Sequence, residues 1–459
     1  MGNLLGTLSI ASQALEADQG ALQVTSNNIA NANTPGYSRE VSVFEPEPVV
    51  TEGNVEFGQG VTLSQVQGIR DQVLELGLQQ GLQQQGQTNS YLQSLTQVQS
   101  LFNEAQGVGL QGPLSNFFSS LQNLSTNPTN SSLRQAVISA GQTLASAFNQ
   151  ASSGLAQVQQ GLNQGIPQTV DQINQLTQQI AQINGQIQQA QSSSADPNQL
   201  IDQRNQLIEQ LSGLVGVDNI SASDGSVTLT TTSGALLVSC QQSFALTTGN
   251  VSGNVDVFSQ GSDITANLSG GTLGGYLQAR ASISSTQQGL DQLAYSLGSA
   301  INAQQEAGYD LNGNPATHEP FFNLPASGPS GAAAQISVAL TDPSQVAASS
   351  DGTAGSNGNV LALANIENQT VVSGQTPTDY YSNFVATIGT EVQQSTNQQT
   401  AQNLVVQQLQ NQKASVSGVS LDEESANLIQ YQTAYSAAAQ VVNIINQIAR
   451  TAITLGQSG

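Results

Sequence analysis

Leu8, Leu15, Leu22 and Ile29 recur every seven residues near the start of the chain, and Leu421, Leu428, Tyr435 and Val442 do so near its end, with Tyr431, Ala438 and Ile445 between them. A seven-residue apolar repeat keeps one seam of a helix turned toward a partner helix. The two stripes predict that the terminal helices pair as a coiled coil, with each other or with those of neighbouring copies. That is a signal of assembly rather than of catalysis.

The spacing predicts a first helix from Leu4 to Ala30 that stops at Asn33-Thr34-Pro35-Gly36. The residue before a proline disfavours the α conformation, and glycine permits a reversal. Beyond it, Val41 and Val43 alternate with polar neighbours, and Val61 and Leu63 follow Gly58 and Gly60, which predicts short extended pieces in a connecting segment. From Ile69 to Leu214 the reading is helical. Tyr91, Leu95, Val98 and Phe102 share one face, and Leu114, Phe117, Phe118, Leu121 and Leu124 share the next. After a break at Asn127-Pro128, a long stripe ends with Ile173, Leu176, Ile180, Ile183 and Ile187, and Pro167 is expected to kink or divide that helix. Asp196-Pro197 supplies a cap and a first-turn proline for the helix carrying Leu200, Ile201, Leu207, Ile208 and Leu211.

Near Val215 the period changes from helical to alternating. Turn signals at Asp224-Gly225 and Ser233-Gly234 bracket strands expected at Val227 to Thr231 and Ala235 to Ser239, with further strands around Phe244-Leu246, Val255-Phe258, Ile264-Asn267 and Ile336-Leu340. Helix returns from Leu277 to Ala307 and again from Thr378 to Ala414. The expected fold is mainly α with an inserted β domain. Residues 1–34 with 420–459 form a terminal coiled-coil domain, and residues 35–68 a linker with short strands. Residues 69–214 with 275–310 and 343–419 form a helical bundle, and residues 215–274 with 311–342 a β-rich domain.

Composition narrows the functions. Only 8% of the 459 residues are charged, against roughly 25% in ordinary soluble domains, so the polar surface is built from amides and hydroxyls. Seven Lys plus Arg against thirty Asp plus Glu leave a net charge of −23, which opposes binding to nucleic acid or anionic lipid. No segment has the eighteen or so consecutive apolar residues of a membrane span, and no basic stretch precedes the first apolar residues as in a cleavable secretory signal. The lone Cys240 can form no internal disulfide and is expected to pack as a small apolar group.

Candidate chemistry is sparse. His318 lies in a loop beside Glu319 with no nucleophile placed by a motif, and reads as a solvated residue. Asp310-Leu311-Asn312-Gly313-Asn314 starts like a calcium loop, but position twelve is Phe321, which has no carboxylate to close the site, so a turn is expected. Gly270-Gly271 and Gly274-Gly275 lack the lysine and hydroxyl residue of a phosphate loop. Asp422-Glu423-Glu424 read as acids favouring a helix N-terminus, with Ser420 as its cap. No catalytic, cofactor or metal residue is expected, and the chain reads as a non-enzyme.

One segment is more specific. Ser26-Asn27-Asn28-Ile29-Ala30-Asn31-Ala32-Asn33-Thr34-Pro35-Gly36-Tyr37 resembles the signature of the bacterial flagellar axial proteins, the rod, hook and hook-associated subunits. Its continuation Ser38-Arg39-Glu40 is closer to the hook-associated branch. So are Gln99 to Glu104, Leu133 to Val137, Asp202 to Ile208, Gly308 to Gly313 and Ser417 to Glu424, and the β region from about Val215 to Asn267 matches least. The resemblance implies export by the flagellar type III apparatus with an export chaperone, an extracellular location in the flagellum, and assembly at the distal hook end. Its implied partners are the hook protein, a second junction protein and further copies in a tubular ring, with the terminal helices forming the inner tube. Alternatives are a rod or hook subunit of the same family, a secreted cell-wall hydrolase, or an adhesin with the β insert as its head.

Within the signature, Asn27 and Asn28 are placed to bond near the helix end, and Pro35 and Gly36 to set the turn that follows, while Asn31, Asn33 and Tyr37 belong to the same family motif. An ordinary capped helix end with no contact between subunits fits the same residues. A lone helix of about thirty residues with one apolar stripe is marginal in water, since ordering costs about 1 to 2 kcal/mol per residue. Both termini are therefore expected to be mobile in the monomer and to fold on incorporation.

Overall fold

The computed structural model describes residues 2–52, 55–193, 195–222 and 225–457. Asp224, one half of an expected turn, and the outermost residues of the terminal domain, Met1, Ser458 and Gly459, lie outside them. In chain order the elements are α1 (Gly2–Asn31), β1 (Glu40–Pro46), β2 (Val50–Glu52), β3 (Val55–Phe57), β4 (Val61–Gly68), α2 (Gln72–Ser100), α3 (Gln111–Thr126), α4 (Ser131–Ser192) and α5 (Asn198–Leu214). There follow β5 (Val217–Ser221), β6 (Val227–Thr231), β7 (Leu236–Ser239), β8 (Gln242–Ser243), β9 (Leu246–Val251), β10 (Asn254–Ser259), β11 (Ser262–Asp263) and α6 (Gly271–Glu306). The last are β12 (Phe322–Asn323), α7 (Ala332–Gln335), β13 (Ser337–Val338), α8 (Gly358–Asn365), α9 (Pro377–Ser417) and α10 (Leu421–Gln457). The fold is mainly helical with small antiparallel sheets inserted, as the periodicity predicts.

Two compact units share these elements. The first comprises Met1–Gln84, Gln172–Leu246 and Gln402–Gly459. In it α1 pairs with α10, burying Ala11, Ala17, Ala21 and Ile445. Strands β1 and β4 form an antiparallel ladder from Glu40↔Gly68 to Pro46↔Val61, with an irregularity at Val43/Phe44. Strands β5 to β8 form a four-stranded sheet in sequential order. The buried carboxamide of Asn184 on α4 donates to the carbonyls of Val227 and Cys240 at 3.0 and 2.8 Å and so ties that sheet to its helix.

The second unit comprises Gln85–Asp171 and Thr247–Ala401 and holds the main hydrophobic core. Phe117 stands at its centre, with ring centroids 5.6, 5.5 and 5.7 Å from Phe118, Phe321 and Phe322. Offset and edge-on contacts of this kind add to what area burial alone supplies. The fully buried Arg134 pairs with no carboxylate among the described residues; it donates to the carbonyls of Pro128 and Val346 at 2.6 and 2.5 Å. A side chain at Gly275 would collide with Ser90 Oγ and the Gln87 carbonyl, so the glycine lets α6 lie directly on the backbone of α2.

Several expectations change. Helix α4 runs through Pro167 without a break. The proline removes one backbone bond, but Leu162, Ile166 and Val170 are buried on either side of it, and Asn163 is held by the Gly253 carbonyl and the Val255 amide at 3.1 and 3.2 Å. No strand forms at Ile264–Asn267: the short β11 ends before it and a single 3-10 turn, Thr265–Asn267, takes its place, where Thr265 Oγ1 accepts the Val257 amide at 2.8 Å. Cys240 is exposed at the β7–β8 turn with φ +51°, not packed as an apolar group. Helix α6 starts six residues earlier than its apolar face predicts, through the glycines at 271, 274 and 275. His318 sits exposed on a loop in the left-handed region, φ +67°. Asp310 Oδ1 accepts the amides of Asn312 and Asn314 at 2.8 and 2.7 Å, which makes that segment a turn.

Candidate assembly site at the terminal helix junction

The last turn of α1 is held by amide side chains. Asn31 Nδ2 reaches back to the Asn27 carbonyl and its Oδ1 at 3.1 and 2.9 Å, and Asn31 Oδ1 accepts from Thr34 Oγ1 at 3.1 Å. The chain then reverses at Pro35-Gly36, where Gly36 takes φ +82°, a conformation that glycine adopts without a Cβ penalty. Asn33, Pro35 and Gly36 are exposed, and Tyr37 folds back under the helix.

Asn28 is the hub, 1% exposed. Its Nδ2 donates to the Glu40 carbonyl at 2.8 Å and to Glu424 Oε2 at 3.1 Å, while its Oδ1 accepts from Tyr37 Oη at 2.8 Å and from the Glu40 amide at 2.9 Å. One carboxamide thus joins α1, the turn, β1 and the first turn of α10. Asn27 Nδ2 donates to Tyr37 Oη and to Glu40 Oε2, both at 3.4 Å.

A second shared group lies alongside. Asp202 on α5 accepts from the Ser38 amide and from Ser38 Oγ, both at 2.8 Å, and pairs with Arg70 at 2.8 Å. Arg70 also donates to Asn198 Oδ1 and to its carbonyl at 3.1 and 2.9 Å. Arg39 pairs with Glu423, and its amide donates to the Ser417 carbonyl at 2.8 Å. Ser420 caps α10: its carbonyl accepts from the Glu424 amide at 2.9 Å and its Oγ from the Glu423 amide at 3.4 Å.

The electrostatics follow from burial. Burial first, then the carboxylates of Glu40, Asp202 and Glu424, push the Tyr37 phenol well above its ordinary range. Burial and then the charge of Asp196 push the Glu40 carboxyl up, against the hydrogen bond from Asn27. Burial likewise raises Asp18 and Asp196.

Leu8, Leu15, Leu22 and Ile29 lie half-buried along α1, beside its buried small residues. On α10, Leu428, Tyr431 and Val442 are half-buried and Ile445 is buried, with Tyr431 6.3 Å from the Phe44 ring, centroid to centroid. Leu421 and Tyr435 are exposed. The heptad pattern does not single out a further exposed apolar flank of α10, formed by Ile429, Val441, Ile444 and Ile448. It also does not single out Glu40, Arg70 and Asp202. The scarcity of charge is the signal for those three, since each ion in such a chain tends to have a definite partner.

Three family models match the chain in order. Residues 8–37 match a flagella basal body rod protein model, residues 95–322 the flagellar hook-associated protein FlgK helical domain, and residues 410–455 the C-terminal region of the flagellar basal body rod FlgEFG proteins. The chain is 30% identical to flagellar hook-associated protein 1 of Bacillus subtilis over 96% of each chain. It is 28% identical to that of Salmonella typhimurium over 95% of this chain and 97% of the relative. Its fold is similar to that of the flagellar hook junction protein FlgK from Burkholderia pseudomallei, with a TM-score of 0.68 at 20% identity, covering 74% of this chain and all of that one. The helix end built around Asn28 lies within the first matched segment and its partner Glu424 within the last, and the chain belongs to the flagellar hook-associated protein 1 family.

Proposed function

We propose that this chain is a structural subunit of the bacterial flagellum that joins hook to filament. In this reading it is exported through the flagellar type III apparatus with a chaperone and is placed at the distal hook end, outside the cell. There it contacts the hook protein on one side and a second junction protein on the other. The role calls for shape and surface rather than a reactive group, and the reading is of a non-enzyme.

The observation that carries it is the unfinished apolar surface of the terminal helices. Ile429, Val441, Ile444 and Ile448 stand 41–64% exposed on α10, the helix that falls within the axial C-terminal match. Several exposed large apolar side chains on one helix mark a contact surface. Copies of the chain would cover it in a tube, with Leu8, Leu15, Leu22, Ile29, Leu421, Leu428, Tyr431, Tyr435, Val442 and Ile445 packing within and between subunits. The division proposed for the tube subunit is a terminal coiled coil of 1–34 with 420–459, a linker of 35–68, a helical bundle, and a β-rich outer domain.

Cells lacking the chain should keep their hooks, carry no filaments and shed filament subunit into the medium. Normal filaments on such cells would end the proposal.

A further inference from the structure

The chain has seven cationic side chains, and six of them are committed internally. Arg39, Arg70, Arg280 and Lys413 sit in ion pairs with Glu423, Asp202, Asp256 and Glu209. Arg134 holds backbone carbonyls, and Arg204 donates to Asn184 Oδ1 and the Gly225 carbonyl at 3.2 and 2.6 Å. Among the described residues, Arg450, exposed near the end of α10, is the cation found neither in an ion pair nor in a side-chain hydrogen bond.

Helix α1, which packs along α10, carries two carboxylates and no cation. Asp18 is half-buried, while Glu16 stands on the outward face and makes no ion pair among the described residues. The two charges cannot meet within one chain. Asn28 meets Glu424, and Tyr431 feels the charge of Asp18, so α1 and α10 run antiparallel. At 1.5 Å per residue, Arg450 then lies level with the start of α1, roughly 21 Å along the axis from Glu16.

The geometry points to a second copy of this chain as the partner of Arg450, displaced along the helix axis by about that distance, with its Glu16 receiving the guanidinium. The inference rests on the proposed tube and adds its register. Such a contact joins different patches on the two copies, and so it propagates from copy to copy instead of closing a pair. In a surface with a net charge of −23 per chain, an opposite-charge contact also offsets the repulsion between neighbours.

The test uses cells whose own copy of the gene has been removed, complemented with full-length Arg450→Glu, Glu16→Arg, or both together. The fraction of hooks bearing filaments is counted, with exported chain measured in the medium and folding checked by circular dichroism. Each single change should lower that fraction by about three- to tenfold, and the double change should restore most of it. Two results would overturn the pairing: single variants that match the unmodified chain, or a double variant no better than the singles, which would assign Arg450 to another protein. If the unmodified chain itself attaches no filaments, it is the hook–filament reading that fails.

Discussion

The side chain of Asn28 donates to Glu424 across 396 positions of sequence, at 3.1 Å in a buried site. The beginning and end of the chain are thereby joined by one amide that also binds the reversing loop. An amide suits the place because it offers donors to Glu424 and the Glu40 carbonyl and acceptor capacity to Tyr37 and the Glu40 amide at once.

Asn28→Ala leaves the Glu424 carboxylate, the Tyr37 hydroxyl and the Glu40 amide without their partner. The expected loss is about 2–3 kcal/mol of stability, read by urea unfolding with a probe in α1 or α10. A change below about 0.5 kcal/mol would show that water replaces the amide at little cost.

Amide exchange on the monomer should show a gradient. Protection should be greatest where Asn28 meets Glu424 and should fall toward Leu5 and Ile453, which are 67% and 58% exposed. Uniform, strong protection along both helices would contradict the idea that neighbouring copies complete them.

Acid should help the junction. Burial, then Asp196, holds the Glu40 carboxyl above its ordinary value, so the folded chain binds that proton more tightly than the unfolded one. Stability from this group is gained as pH falls through the folded value and lost as pH rises through it. In Glu40→Gln the step is gone. The stability of the parent relative to this variant should therefore improve as pH falls from neutral toward the ordinary carboxylate range, and a difference independent of pH would count against the buried charge.

Pro167 interrupts the bonding of α4 without breaking the helix. Pro167→Ala restores a backbone donor and a better helix former, and it should raise the thermal stability of the chain by about 1–3 kcal/mol. A destabilised variant would mean that the ring itself fills necessary space.

The helices were legible because Leu, Ile and Phe recur at helical intervals even within glutamine-rich tracts, as at Leu114 to Leu124 and Ile173 to Ile187. Pro167 does not divide α4, because the packing of Ile166 and Val170 on either side of it outweighs the one lost backbone bond. The exposure of Cys240 is not legible in the sequence, because its place in a tight turn depends on where two short strands end. The polar junction was only half legible. The signature from Asn27 to Tyr37 marks the helix end, but the bonds Asn28–Glu424, Ser38–Asp202 and Arg70–Asp202 span 396, 164 and 132 positions and have no period to detect. The exposed flank of Ile429, Ile444 and Ile448 is offset from the heptad seam, and only the placement of α1 against the other side reveals it.

The phenol of Tyr37 gives the junction an optical readout. The chain has nine tyrosines and no tryptophan, so its near-ultraviolet spectrum comes mainly from phenol rings. Burial and the Glu391 contact push Tyr91 up to about 12, and burial with neighbouring carboxylates holds Tyr37 and Tyr381 still higher. Opening the terminal helices in alkali would release Tyr37 to ionise, and the phenolate band would record that event without any attached dye.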